Sequence, residues 1–411
     1  MSAFAPTAEQ VEALLRGTSN VISPEELAKK IERSRQQNKP MRVKLGIDPT
    51  TPDIHLGHTV PLRKLRQFQD LGHTVILIIG DATAMIGDPT GRSATRPRLT
   101  AEQIAANAKT YQDQFFKIVS HERCEVVRNA DWLGKLSFGD IVSLTSKFTV
   151  ARLIERDDFA KRLKAGEPLG LHELLYPLMQ GYDSVMVKAD IEIGATEQLY
   201  NLLVGRALQE SEGQEPQVVM TLPILVGLDG KQKMSKSLGN HVGITESPVE
   251  MFGKLMSIPD ALIVEYMRSL TKTTEEAAMA WQGKMKSGEL NPRDAKAEVA
   301  REIVKTYHGA VESVRASAEF DRVFKEKQAP TDMAEVTLVA ADLAADGTIE
   351  AGRLVAKAGL APSNREAFRL ATDGAVTYDG TKVSDARAKL TPRTGAVLQV
   401  GPRRFVKIRV G

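Results

Sequence analysis

The sequence predicts an α/β protein: a parallel-sheet domain, then an α-helical domain, then a small basic α+β domain. Three observations carry that prediction. The run Val75-Ile76-Leu77-Ile78-Ile79-Gly80 is apolar without alternation, as in a strand buried on both faces of a parallel sheet. Strand-like alternation then disappears between residues 246 and 325. Finally, residues 351–411 hold 12 Lys and Arg against 4 Asp and Glu, so +8 of charge sits there and −5 on the preceding 350 residues, within a total of +3.

The elements follow in order. Residues 1–40 read as polar helix, with Ser23 as N-cap and Pro24 at the first helical position. Arg42 to Asp48 reads as a short strand that closes on the turn residues Pro49-Thr50-Thr51-Pro52. A helix is expected from about Asp53, and the stretch His58 to Leu71 completes one βαβ unit with the strand at Val75. Further strands are expected at Glu125–Arg128, Val185–Lys188, Gln217–Thr221 and Ile224–Val226. Ser247-Pro248-Val249-Glu250 is a capping box that opens the helical domain, and Asn291-Pro292-Arg293-Asp294 repeats its logic. The expected domains are 1–240, 241–330 and 349–411. Residues 331–348 read as a linker with one short extended piece. After it, Gly352 to Gly374 reads as two short helices, followed by strands at Val376–Gly380 and Val397–Val410.

Composition excludes several classes. Of the 411 residues, 42% are hydrophobic and 26% charged, which rules out a disordered or collagen-like chain. The longest apolar run, Thr74–Ile79, is far short of the ~20 residues that cross a bilayer. No basic segment followed by an apolar core opens the chain, so no secretory signal is expected. The single cysteine, Cys124, excludes an internal disulfide and a Cys-rich metal site. These features point to a reduced, cytoplasmic protein with no membrane contact, and the basic tail points to nucleic acid or, more plainly, to a solvated basic surface.

Two constellations carry chemistry. In Asp53-Ile54-His55-Leu56-Gly57-His58, two imidazoles share a face of the first helical turn beside free backbone N–H groups, a natural place for phosphate. Gly57 between them lets a flat ring approach the backbone. A solvated His pair or a metal site are the alternatives, but no further ligands stand at metal spacing. The second constellation is Gly230-Lys231-Gln232-Lys233-Met234-Ser235-Lys236-Ser237, three lysines and two hydroxyls in one loop. It reads as a cationic clamp for polyphosphate or, more simply, as a solvated loop.

Together, Pro52-Asp53-Ile54-His55-Leu56-Gly57-His58 and Lys233-Met234-Ser235-Lys236-Ser237 resemble the paired motifs of class I aminoacyl-tRNA synthetases, in the same order. Gly46-Ile47-Asp48-Pro49-Thr50, Gly87-Asp88-Pro89-Thr90-Gly91-Arg92 and Tyr176-Pro177-Leu178-Met179-Gln180-Gly181-Tyr182-Asp183 resemble the bacterial tyrosyl branch. Gly359–Arg365 and Asp373–Val376 resemble the RNA-binding fold of a ribosomal small-subunit protein. The resemblance implies a Rossmann-like catalytic domain, a helical domain for the anticodon arm, and ligation of tyrosine to tRNA(Tyr) through a tyrosyl-adenylate.

It also implies roles. His55, His58, Lys233 and Lys236 would be catalytic, and Asp48, Thr50, Gly57, Ser235 and Lys236 would bind ATP. Tyrosine would meet Gly46, Asp88, Tyr176, Gln180, Asp183 and Gln198. Tyr176, Gln180 and Asp183 are spaced by four and three residues, so on a helix they share one face. The resemblance implies that on that face the Tyr and Gln turn towards the substrate ammonium and the Asp towards its phenol. A phenol site leaves a polar group unpaired when phenylalanine enters, a form of rejection for which this kind of enzyme is the standard example, so no editing domain is expected. Arg365, Arg369, Arg403 and Arg404 are candidates for tRNA phosphates. Magnesium would accompany ATP, with no metal held by the protein itself. A homodimer is implied, to which Trp132, Phe138, Phe148 and Phe159 could lend an apolar surface, although the same pattern would serve a buried core equally well. A synthetase-like RNA-binding protein without catalysis and a tryptophan-specific enzyme are the competing readings. One departure stands out: many members of the family carry a Tyr where this chain has Lys44. A milder one is Thr196-Glu197-Gln198, where Asp-Gln is usual.

Overall fold

The computed structural model describes residues 4–50, 52–88, 100–326, 328–331, 333–401 and 404–411. They form two compact units, Met1–Ala310 and Val311–Gly411. The first is organised by a sheet of β1 (Asn20–Ile22), β2 (Arg42–Ile47), β3 (Thr74–Ile79), β4 (Cys124–Arg128), β5 (Ile191–Ala195) and β6 (Val218–Leu222), in the order β1-β6-β5-β2-β3-β4. Strands β2 to β6 run parallel. Val75 to Leu77 and Val218 to Met220 are fully buried, each side chain worth about 1.5–3 kcal/mol in transfer from water. The chain leaves β2 for β3 and β4 on one side and later returns to β5 and β6 on the other. That reversal beside β2 opens a crevice at the carboxyl edge of the strands, where open α/β sheets bind ligands.

Four local expectations need correction. The polar segment 1–40 contains β1 between its helices, paired antiparallel with β6, so the sheet is not purely parallel. Three residues are too few to show alternation. The helix expected from Asp53 starts at Leu56, with His55 at its N-cap. Val185–Lys188 is no strand but the end of the Leu171–Val187 helix, stopped where Lys188 turns left-handed at φ 49°. The strand lies just beyond, at β5, where Glu192 and Gly194 interrupt the apolar pattern. Ile224–Val226 makes only an isolated bridge, from Val226 to Lys233.

From residue 246 the chain is helical, through Pro248–Met256, Ile263–Leu270, Glu275–Ser287 and Pro292–Phe324, the last kinked at Gly309 with φ 87°. The second unit adds β7 (Glu335–Leu338), β8 (Ile349–Glu350), β9 (Val376–Tyr378), β10 (Thr381–Val383), β11 (Lys389–Leu390), β12 (Val397–Val400) and β13 (Arg404–Val410). Five of these make one sheet, β10-β9-β12-β13-β7. The helices Ala351–Lys357 and Asn364–Thr372 share its core, where Leu338, Leu354, Ala367 and Leu398 are fully buried. The segment read as a linker thus supplies β7, which pairs in parallel with β13. No helix among the described residues is long and apolar enough to cross a membrane.

Candidate active site

A cavity of about 360 Å³ opens at the carboxyl ends of β2 and β5. Gly46 and Thr50 line it from β2 and the turn after it, and space above Gly46 is free of neighbouring atoms. Asp48 is held from two sides: Thr83 Oγ1 donates to Oδ1 at 2.7 Å, and the Tyr176 hydroxyl donates to Oδ2 at 2.9 Å. Gly80 makes this approach possible, since a Cβ there would lie 2.2 Å from Asp48 Oδ1. Burial, reinforced by the charges of Asp88 and Asp183, pushes the Asp48 carboxyl up to about 7.

One wall is the Leu171–Val187 helix, which presents Tyr176, Gln180 and Asp183 to the cavity as the spacing predicts. Asp183 Oδ1 accepts from Trp132 Nε1 at 2.8 Å and Oδ2 from Asn129 Nδ2 at 3.2 Å. Burial lifts its carboxyl to about 7, although these bonds and Lys44 pull the other way. Trp132 is half-buried and tied to the Asp183 carboxylate, although it does not itself line the cavity. Asn129, fully buried, was not legible as a partner of Asp183; it follows β4 with no motif around it. Gln180 is oriented by Asn201, whose Nδ2 donates to Oε1 at 3.0 Å. Asp88 lines the cavity with the Arg156 guanidinium 4.0 Å away, and Gln198 accepts from Ala195 N at 3.1 Å, closing the turn after β5. Pro89 to Arg92 lie outside the described residues.

The opposite wall joins the two motifs. Leu56 N donates to Val242 O at 2.9 Å and Ile244 N to Ile54 O at 3.1 Å, so an antiparallel bridge between His55 and Gly243 ties the first helix start to the lysine loop. The His55 and His58 rings stack with centroids 3.7 Å apart, both lining the cavity. Burial lowers His55 to about 2 and His58 to about 4, so both are neutral at physiological pH. His55 N donates to His58 Nδ1 at 3.4 Å, which leaves the proton of His58 on Nε2, free to be donated. A Cβ on Gly57 would stand 3.0 Å from the His55 ring.

Lys233 and Ser235 line the cavity, and Lys236 lies beside it. Both lysines are engaged with carboxylates: Lys233 Nζ with Glu197 at 3.0 Å, and Lys236 Nζ with Asp53. Buried Asn240 shapes the loop between them, accepting from Ser235 N at 2.8 Å and donating to Asp229 at 2.9 Å and to Lys233 O at 3.1 Å.

Outside the cavity, Arg365 is exposed on the Asn364–Thr372 helix, whereas Arg369 is paired with Glu366 at 2.6 Å and Asp373 at 3.3 Å. Arg404 is exposed and donates to Leu360 O; Arg403 lies outside the described residues. Of the residues read as either an apolar surface or a buried core, Phe159 is fully buried under Arg156 and Phe148 packs into an interior cluster, whereas Phe138 is 82% exposed. Among the described residues no group of three or more His, Cys, Asp or Glu gathers to hold a metal ion.

The chain is similar in sequence and in fold to known proteins. A family model described as tRNA synthetases class I (W and Y) matches residues 36–325. A tyrosine–tRNA ligase of Carboxydothermus hydrogenoformans is 51% identical over 400 residues, covering 97% of each chain. One from Thermotoga maritima is 50% identical over 403 residues, 98% of each. Among solved structures, a tyrosyl-tRNA synthetase from Archaeoglobus fulgidus complexed with L-tyrosine shares the fold, with TM-score 0.62, 23% identity, and coverage of 76% of this chain and 100% of its own. A C-terminally truncated mitochondrial one from Aspergillus nidulans has TM-score 0.62 at 20% identity, covering 77% of this chain and 94% of its own.

Proposed function

The chain belongs to the class I tRNA synthetases of the tryptophan and tyrosine family and is a tyrosine–tRNA ligase, and from that premise we propose how its cavity works. One observation carries the reading: the Tyr176–Gln180–Asp183 face and the joined histidine and lysine motifs line or flank the same cavity. Tyrosine lies over Gly46 with its phenol donating to Asp183. Its ammonium faces Asp88, Tyr176 and Gln180, and Asp48, read from sequence as an ATP contact, adds anionic charge there through its bond with Tyr176. The turn at Gln198 borders the same pocket.

ATP enters with its phosphates at the start of the Leu56–Asp70 helix, near Thr50 and Gly57. A tyrosine carboxylate oxygen attacks the α-phosphorus, the bond to the bridging oxygen of pyrophosphate breaks, and tyrosyl-adenylate remains. Neutral His55 and His58 donate hydrogen bonds as charge moves onto the phosphates, Ser235 adds a hydroxyl, and Lys233 and Lys236 leave their carboxylates to close over the leaving pyrophosphate. No side chain forms a covalent bond; positioning and charge stabilisation supply the acceleration. Magnesium, carried by the phosphate oxygens, adds further charge neutralisation. The terminal ribose hydroxyl of tRNA(Tyr) then attacks the tyrosyl carbonyl, releasing AMP.

Exposed Arg365 and Arg404, with Arg369 and Arg403, serve as phosphate contacts on the basic second unit, and residues 241–330 as the anticodon-arm domain. Phe138 and Val142, one helical turn apart and exposed, support self-association as a homodimer. The tRNA substrate and the single cysteine support a cytoplasmic location. Tyrosine-dependent ATP–pyrophosphate exchange, with tryptophan and phenylalanine as controls, tests the pocket. Exchange with tyrosine alone is expected, and exchange with tryptophan would overturn the Asp183 assignment.

A further inference from the structure

Two charged side chains are buried in the middle of the central strands. Lys44 on β2 and Glu192 on β5 are register partners across the sheet, 0% and 1% exposed, with Lys44 Nζ 2.8 Å from Glu192 Oε1. Neither lines the cavity. Lys44 Nζ also donates to Ser184 Oγ at 2.7 Å and Gln180 O at 3.0 Å, gripping the helical turn that presents Gln180 and Asp183. Glu192 in turn accepts from Ser184 Oγ at 2.9 Å, from Gln180 Nε2 at 3.4 Å and from Gln217 Nε2. A buried ion pair gives little net stability over an apolar pair of the same volume, so its retention here calls for another role.

We infer that Lys44 and Glu192 form a positioning pair that fixes the aim of Gln180 and the electrostatic surroundings of Asp183, and so tunes the preference for a phenol. The inference rests on the assignment of Asp183 to the phenol. The groups around Asp183 are Lys44 from β2, Asp48 just after it, Glu192 from β5, Tyr176 on its own helix, and the donors Asn129 and Trp132 beyond β4; Asp88 acts on Asp48. Lys44 favours the ionised carboxylate that accepts the phenol, and Glu192 opposes it. The pair balances the two. Removing the cation alone raises the pH at which Asp183 ionises, and removing the anion alone lowers it.

The test is the ratio of kcat/KM for tyrosine to that for repurified phenylalanine, in ATP–pyrophosphate exchange by the full chain, from about pH 5 to about pH 9. Titration of Asp48 affects both substrates and cancels in the ratio; that of Asp183 does not. In the unmodified chain the ratio climbs with pH through one midpoint. Lys44→Met is expected to move that midpoint up, and Glu192→Gln to move it down, each by on the order of one pH unit. The double variant Lys44→Met/Glu192→Met returns it towards the original. Midpoints that stay in place, or that move in the same direction, overturn the inference and leave the pair a packing device. Melting curves by circular dichroism accompany each variant. If Lys44→Met does not fold, the isosteric Glu192→Gln carries the test alone. Asp183→Asn separates the two levels: a flat, low ratio keeps the phenol assignment, whereas a ratio like that of the unmodified chain rejects it whatever the pair does.

Discussion

The hydroxyl of Tyr176 donates to Asp48 Oδ2 at 2.9 Å, joining the Leu171–Val187 helix to the turn that follows β2. Two acids in this pocket, Asp48 and Asp183, ionise near 7 rather than near their ordinary 3.8, each mainly because burial penalises the charge. Below about pH 4 both folded and unfolded chains hold these protons, and the two groups contribute nothing to pH dependence. Between about 4 and 7 the folded chain binds more protons than the unfolded one, so stability falls as pH rises. Asp183→Asn is therefore expected to raise the ligand-free melting temperature at pH 8, on a scale of about 1–3 kcal/mol, and to leave it unchanged at pH 4. Calorimetry at the two values checks this; a gain at pH 4 as large as at pH 8 would contradict it.

Both lysines of the loop are paired with carboxylates, Lys233 with Glu197 and Lys236 with Asp53. Glu197→Gln or Asp53→Asn removes the competitor and should lower KM for ATP, by no more than about fivefold, because both pairs are partly exposed and such pairs are worth about 1 kcal/mol or less. Lys236→Ala should instead slow adenylate formation far more than it weakens tyrosine binding, because its contact strengthens in the transition state. Single-turnover formation of tyrosyl-adenylate, read beside equilibrium tyrosine binding, distinguishes the two effects. Equal losses in rate and binding would remove Lys236 from its role.

Asn240 holds the loop and does not itself line the cavity. Asn240→Ala deletes its bonds to Ser235 N, Asp229 and Lys233 O and should lower kcat for exchange about tenfold or more, with the tyrosine dissociation constant unchanged. A change in tyrosine binding of similar size would place Asn240 in the wrong half of the site.

Where the chain is cut decides what a truncation reports. Ending it at Glu326 removes β7 together with its partner β13, and should keep pyrophosphate exchange while impairing tRNA charging. Ending it at Glu350 keeps β7 and deletes β13, leaving an unpaired strand that invites aggregation. Light scattering and exchange rates on the two proteins compare them. In the full chain, tRNA binding should weaken steeply with salt, as counterion release by arginine–phosphate contacts requires.

Much of this architecture was legible because it depends on local patterns. The apolar run at Val75, the two motifs and the i, i+4, i+7 face of Tyr176, Gln180 and Asp183 each carry their meaning within a few residues. What escaped was decided elsewhere in the chain. β5 hid because Glu192 breaks its apolar pattern, a charge tolerated only because Lys44 meets it from a strand nearly 150 residues earlier. Val185 and Val187 looked like strand residues because β-branched side chains favour strands, yet helix packing overrode that preference. Trp132 suited a surface or a core equally well by sequence; its indole N–H on Asp183 is what places it. Asn129 and Asn240 carry no motif at all; each matters only through backbone and side chains brought to it by folding.

The order of the small sheet has a consequence for synthesis. β13, made after every other strand of that sheet, sits in its interior between β12 and β7, and one of its register pairs joins Val410 to Leu338. The neighbours on both sides therefore wait for it, and the unit cannot close while Val410 is still inside the ribosome. The first unit, whose sheet ends at Leu222, has its strands available long before. A nascent chain can thus own a finished tyrosine pocket while its basic unit is still unfolded, and pulse-labelled proteolysis of stalled chains would show the two halves becoming resistant in that order.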